Sequence, residues 1–263
     1  MDFLEIENRT METDFDMTEP HSHDYYELYF LLEGSRAIFV QDKMFVLPPN
    51  TFWVIPPFCL HKTEGGPYKR VNINVSPDLL THSERIFLDE CAKDVAYKLS
   101  NETLAIVNPL LDEATSVENP NTSEQKNMFL AFTKIILHFF KKEKLHATAL
   151  KANEIKTTKD TLILKIISYI NEHFSETFTL DDICDKFFIS KNTLCQRFQN
   201  SMHCSIMQYR TFVRINRAKK LLTTTTNSIE EISEHCGFSS ANYFSLIFKK
   251  EVGLSPVNYK KTK

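Results

Sequence analysis

The chain has 263 residues, 42% hydrophobic and 25% charged, which is enough for two ordinary domains and has the balance of a soluble globular protein. No apolar run nears the ~20 residues of a membrane span, no signal-peptide pattern opens the chain, and the six cysteines (59, 91, 184, 195, 204, 236) form no CxxC pair. These features argue against a membrane partner, a zinc cluster or a disulfide framework, and for a reduced protein of the cytoplasm. The net charge of −3 conceals an asymmetry, with 17 basic against 24 acidic residues in 1–159 and 14 against 10 in 160–263. Either the C-terminal part meets a polyanion, or the charge varies along the chain by chance.

Residues ~1–78 read as strands. "YYELYFLLEG" and "RAIFVQDKMFVLPPNTFWVIPP" are rich in β-branched and aromatic residues and are broken by Gly34, Pro48, Pro49, Pro56 and Pro57. Several short strands in series suggest a small barrel or sandwich. Residues ~80–145 read as helices. In "TSEQKNMFLAFTKIILHFFKK" the apolar positions Met128, Phe129, Phe132, Ile135, Ile136, Phe139 and Phe140 recur at helical spacing, with Thr122 and Gln125 as a capping box. This stripe either packs on its own domain or supplies a dimer seam. Residues 146–160, "HATALKANEIKTTKD", lack an apolar period and read as a linker.

From Thr161 onward the pattern is helical and contains a repeat. Leu180, Ile183, Cys184 and Phe187 form one apolar face, capped by Thr179 or Asp181. "FIS" interrupts it, and Ser190 caps a second helix with Leu194 and Phe198 inward. In the second copy Ile229, Ile232 and Cys236 form the first face, Gly237 ends that helix, and Ser239 or Ser240 caps a helix with Phe244 and Phe248 inward. Ile183 aligns with Ile232 at an offset of 49 and Leu194 with Phe244 at an offset of 50, so the second turn is one residue longer. "MQYRTFVRINRAKKLL" reads as one linking helix, with Phe212, Val213, Ala218, Leu221 and Leu222 buried. The expected architecture is a tandem helix-turn-helix.

At 100° per residue, Asn192, Gln196 and Gln199 point outward with Cys195 on the flank; in the second copy Asn242, Leu246 and Lys249 do so with Ser245 on the flank. Asn and Gln suit bidentate bonds to adenine in the major groove, and Leu can touch a thymine methyl. Lys249, Arg210, Arg214 and Arg217 are candidates for phosphates or for internal ion pairs. With the N-terminal residues of the two helices, the expected DNA-binding set is Ser190, Lys191, Asn192, Cys195, Gln196, Gln199, Arg214, Ser240, Asn242, Ser245, Leu246 and Lys249.

This region resembles the AraC/XylS family of bacterial transcription regulators. The residues that carry the resemblance are Ile229, Ile232, Gly237, Phe238, Tyr243, Phe244, Phe248, Lys249, Lys250, Gly253, Ser255, Pro256 and Tyr259. The departures are Ser233 for Ala, Lys260 for Arg, Leu246 where Arg is frequent, and Phe188 for a common Gly. The resemblance covers about 100 residues and implies a seven-helix domain whose two recognition helices enter successive major grooves.

"HSHDYYELYFLLEG" sets His21, His23, Glu27 and Gly34 at H-x-H-x3-E-x6-G, and His61 follows "PPFCLH". This resembles the two cupin motifs, in which such a set binds metal inside a β-barrel; Pro49-Asn50 departs from the second motif's Pro-x-Gly. Regulators of the AraC type use a similar domain to sense a small ligand without metal. The expected ligand-binding set is His21, His23, Tyr25, Glu27, Trp53 and His61, with Tyr25, Tyr29 and Trp53 either covering a sugar ring or packing in the core. The same His21, His23, Glu27 and His61 are the candidate metal ligands, but no cofactor is expected. There is no Walker motif and no GxGxxG among five glycines.

The resulting expectation is an α+β chain. Residues 1–145 form a cupin-like β-barrel with a helical dimerisation segment, 146–160 a linker, and 161–263 an all-α double helix-turn-helix domain. Its partners are double-stranded DNA, a small effector of the carbohydrate class and a second copy of itself. The alternative is a metal-dependent cupin enzyme with a helical appendage, which leaves the C-terminal motif unexplained.

Overall fold

In the computed structural model, residues 3–17, 20–40, 43–93, 96–116, 123–144, 149–150 and 161–261 are described. Among these described residues, nine strands fall in two antiparallel sheets. Strands β1 (Leu4–Met11), β2 (Tyr26–Gly34), β5 (Thr51–Ile55), β7 (Tyr68–Val75), β8 (Ala96–Lys98) and β9 (Ala149–Leu150) form a six-stranded sheet in the order β1-β7-β2-β5-β8-β9. Strands β3 (Arg36–Val40), β4 (Lys43–Leu47) and β6 (His61–Glu64) form a three-stranded sheet in the order β4-β3-β6. The two faces of the large sheet are both buried, which explains why β2 reads as a continuous apolar run rather than an alternation. Leu28, Phe30, Phe52, Val54, Val71, Ile73 and Val75 face the helices α1 (His82–Cys91), α2 (Asn101–Ser116) and α3 (Ser123–Lys144). Tyr29, Leu31, Trp53, Ile55 and Tyr68 face Ile38 and Leu47 of the small sheet.

Among the described residues the strands form two sheets and no closed barrel. The expected barrel is corrected on this point: its intended lumen is a packed core between the sheets, and Tyr29 (1% exposed) and Trp53 (4%) fill it. Two short strands interrupt regions expected to be helical or unstructured, β8 before α2 and β9 inside the expected linker. The rest of that linker and the Thr122 cap lie outside the described residues.

The expected aromatic stripe of α3 divides. Ile136, Leu137 and Phe140 are buried against the large sheet, with Phe140 stacked on Phe52 at 4.0 Å between ring centroids. Phe132 and Phe139 are half-buried and Ile135 is exposed.

The C-terminal part has seven helices, α4 (Thr161–Glu172), α5 (Leu180–Phe187), α6 (Lys191–Met202), α7 (Ile206–Thr224), α8 (Ile229–His235), α9 (Ala241–Val252) and α10 (Pro256–Lys261). Each repeat has its own core. Ile183, Leu194 and Phe198 pack with Ile166, Ile170 and Tyr209. Ile232, Phe244 and Phe248 pack with Ala218, Leu222 and Tyr259. Helix α7 contributes to both cores and so sets their separation. The first core also takes in Phe39, Met44 and Leu60, so the helical C-terminal half docks on the outer face of the small sheet.

Candidate functional site

The two second helices of the repeats start as their serines require. Ser190 accepts from the backbone N–H of Thr193, and Ser240 from that of Tyr243. Thr179 and Ser228 start the two first helices through reciprocal capping boxes with Asp182 and Glu231. With Leu194, Phe198, Phe244 and Phe248 fully buried, the opposite faces stand open. Asn192, Cys195, Gln196 and Gln199 are exposed on α6; Asn242, Leu246 and Lys249 are exposed on α9, with Ser245 half-exposed. Leu246 is 67% exposed. Lys191 is exposed and pairs with Asp181 at 3.0 Å.

Arg214, a candidate for phosphates or for an internal role, makes internal bonds. Its Nε donates to the carbonyl of Phe174 at 2.6 Å and its Nη2 to that of Glu176 at 3.0 Å. Burial, then the neighbouring Arg210, pushes its pKa down to about 10. Two of its five N–H groups thus clamp the loop between α4 and α5. Arg210 behaves alike, donating to the carbonyl of Phe178 at 3.0 Å and covering its ring. Arg217 remains exposed.

The structure brings the expected histidines together although His21 and His23 lie in the extended segment before β2. His21 and His61 form an antiparallel bridge, with both backbone bonds at 3.0 Å, and their rings are 4.2 Å apart. Nε2 of His23 is 3.0 Å and Nε2 of His61 is 3.4 Å from Oε2 of Glu27. Burial would raise the Glu27 pKa, but the hydrogen bonds from His23 and His61 outweigh it and hold the carboxyl well below its ordinary range. Burial, then the nearby His61, pushes His21 down to about 3. Burial also lowers His23. Tyr25 stacks on the ring of His23 at 4.0 Å, while Trp53 backs His61 edge-on from within the core.

Of the expected ligand-binding set, His21 borders an open cleft. That cleft, of about 520 Å³, lies between the two halves; Leu60, Phe212, Ile215, Asn216 and Lys219 also line it. Asn216 ties the halves together, its Oδ1 accepting from Ser22 at 2.7 Å and its Nδ2 donating to the carbonyl of Phe58.

Two family models match the chain: an AraC-like ligand binding domain over residues 6–95 and a helix-turn-helix domain over residues 183–262. The chain belongs to the AraC family of transcription regulators. Among its relatives are the HTH-type transcriptional activators RhaR of Escherichia coli strain K12 and of Shigella boydii serotype 4. Each is 24% identical and is matched over 93% of this chain and 88% of its own length. Among solved structures, the C-terminal domain of AraT, a response regulator from Geobacillus stearothermophilus, is 30% identical. The match covers 41% of this chain and 89% of that one, with a TM-score of 0.40.

In this family member the sensing half carries a residue set that fits a metal. One ligand nitrogen from each of His21, His23 and His61 lies within 4.8 Å of the others, and imidazole with carboxylate suits a first-row divalent ion. Two residues of the site escaped the sequence reading. Asn72 on β7 donates to Oε1 of Glu27. Its signal was present: in "YKRVNINV", Asn72 and Asn74 alternate with Val71, Ile73 and Val75, a polar face on a buried strand. Asn216 had no such signal, since one outward Asn on a long helix looks like any solvated residue.

Proposed function

We propose that the protein controls transcription by placing α6 and α9 in successive major grooves while a small polar effector, of the carbohydrate class, occupies the cleft of about 520 Å³ beside His21, one of two clefts between the halves. The observation that carries this reading is the cleft's position: it touches the histidine-bearing segment on one side and α7, which holds both helix-turn-helix cores, on the other. Polar groups from His21, Ser22, Asn216, Lys219 and Glu251 face apolar Leu60, Phe212 and Ile215 there. That mixture suits a sugar's hydroxyl edge and its ring face, and the volume suits a small ligand. The reading places the protein in the cytoplasm, as a regulator rather than a catalyst, with Phe132, Ile135 and Phe139 of α3 as a homodimer seam.

Fluorescence anisotropy with duplex DNA, over a series of salt concentrations and a panel of sugars, tests it. DNA affinity should fall steeply with salt, and one sugar should shift it. If no sugar changes either DNA affinity or melting temperature, the effector class is wrong. If the chain does not bind duplex DNA at low salt, the regulatory reading fails.

A further inference from the structure

All six cysteines are free, and the fold divides them. Cys59, Cys91, Cys204 and Cys236 are buried, and burial pushes the thiols of Cys59 and Cys236 up to about 12. Thiols buried in this way are inert. Cys195 is exposed and Cys184 is half-buried. These two accessible thiols lie in the same helix-turn-helix unit, Cys184 on α5 and Cys195 on α6.

Local geometry turns them toward one seam. Ile183 and Leu194 meet in the core of that unit, and the two cysteines are the next residues on their helices. Lys191 of α6 reaches Asp181 of α5, with Nζ 3.0 and 3.2 Å from the two carboxylate oxygens. Residues three or four apart share a helix face. Cys184 is three residues after Asp181, and Cys195 is four after Lys191. The faces that the ion pair joins are therefore the faces that carry the thiols. The charges agree: Cys184 feels both Lys191 and Cys195, and Lys191, after Asp181, feels both thiols.

We propose that Cys184 and Cys195 are a peroxide-responsive thiol pair, whose disulfide switches off DNA reading by the first helix-turn-helix unit. The switch rests on the regulatory reading above; the thiol chemistry does not. Cys195, open to solvent, attacks first. Its sulfur displaces hydroxide from hydrogen peroxide and becomes a sulfenic acid, and the hydroxide leaves as water with the thiol's proton. Cys184 then attacks that sulfur, gives up its proton and expels a second water. Two thiols are oxidised, the peroxide is reduced to two waters, and one S–S bond forms. Burial, then the neighbouring Asp181, raises the Cys184 pKa, so Cys184 stays a thiol until a sulfenic acid arises beside it. The consequence for DNA follows from position. Cys195 flanks the face that carries Asn192, Gln196 and Gln199, all exposed. A disulfide needs its Cα atoms about 4.4–6.8 Å apart and a narrow dihedral. Drawing Cys195 onto α5 turns α6 and takes those three side chains with it. Reversible disulfides of this kind serve redox sensing in proteins otherwise kept reduced.

The test uses the full chain, reduced, freed of reductant and treated with hydrogen peroxide in small molar excess. Without DNA, the intact mass should fall by two hydrogens, and peptide mapping should find one cross-link, between 184 and 195. Dithiothreitol should restore the starting mass. Cys184→Ser should instead hold a sulfenic acid at Cys195 that dimedone traps; if circular dichroism shows that it does not fold, Cys184→Ala takes its place. Fluorescence anisotropy with duplex DNA reads the consequence. The oxidised chain should bind at least about 10-fold more weakly than the reduced chain, dithiothreitol should restore binding, and untreated Cys184→Ser should bind as the reduced wild type does. A chain that stays reduced, or that links Cys195 to a second chain instead of to Cys184, overturns the pair. A 184–195 disulfide that leaves DNA affinity unchanged overturns the switch. A reduced chain that does not bind DNA overturns the regulatory reading and the switch with it, while the cross-link is judged by mass alone.

Discussion

Gly237→Ala should damage the domain at the joint between its two helix-turn-helix units. Gly237 follows α8 with φ of 73°, and a Cβ there would lie 2.1 Å from the carbonyl oxygen of Ser175, 2.5 Å from its Cα and 2.6 Å from its carbonyl carbon. All three are backbone atoms of the loop between α4 and α5, the loop that Arg214 holds through Phe174 and Glu176. No side-chain rotation relieves the contact, so the loop or the turn must move. The left-handed conformation costs an L-residue about 1–2 kcal/mol. Forcing apart a packed contact adds about 1–3 kcal/mol, for roughly 2–5 kcal/mol together. With a urea slope of about 1–3 kcal/mol/M, the unfolding midpoint should fall by about 1 M or more. Gly253 supplies the control. It also has positive φ, 82°, but nothing lies within 4 Å of its would-be Cβ. Gly253→Ala should therefore show only the conformational cost, about 1–2 kcal/mol. Far-UV circular dichroism in urea reads both variants. Equal midpoints for the two would refute the close-approach argument. A second reading is affinity: Gly237→Ala should lose more on a DNA site with both half-sites than on one half-site.

Four further outcomes are expected. Asn192→Ala, Gln196→Ala and Asn242→Ala should each cost about 1–3 kcal/mol on the cognate site and relax preference at one position, whereas Lys249→Ala should weaken all sequences about equally; competition binding against random DNA separates the two patterns. Phe132→Asp should give a folded monomer by light scattering, since Phe132 is only half-buried while the neighbouring Phe129 is buried; a variant that stays dimeric removes this seam. Phe188→Gly should raise stability by up to about 1–2 kcal/mol, because Phe188 caps α5 at φ of 52° and is 96% exposed; an unchanged or lower midpoint refutes it. Hydrogen bonds from Thr179 and from Ser228 lower the pKa values of Asp182 and Glu231. Their stabilisation is therefore complete above the ordinary carboxylate value, 4.5 for a Glu, and is lost as the pH falls below it. Asp182→Asn with Glu231→Gln should flatten the fall in melting temperature between about pH 5 and pH 3.

The parts of this protein that were legible in its sequence are those set by local rules. The caps at Thr179, Ser190, Ser228 and Ser240, the inward Leu194, Phe198, Phe244 and Phe248, and the left-handed Gly237 all follow from spacing and residue type. What stayed hidden depends on which layer covers which. Trp53 looks like a pocket aromatic until both sides of its sheet are found to be covered, and Arg214 looks like a phosphate ligand until the loop of Phe174 and Glu176 is brought over it. The four metal-type residues were legible, because H-x-H and its distant Glu and His survive as a pattern. Their meaning was not, because it rests on the second atom of each ring. The carbonyl of Tyr25 lies 2.8 Å from Nδ1 of His23 and that of Cys59 lies 3.0 Å from Nδ1 of His61, contacts that depend on how the loops fold over the rings. The same limit applies to Ser22 and Asp24. They are ordinary polar residues in the motif, and they acquire a role only because the fold brings α7 and α10 against them, where Ser22 donates to Asn216 and Asp24 accepts from Tyr259.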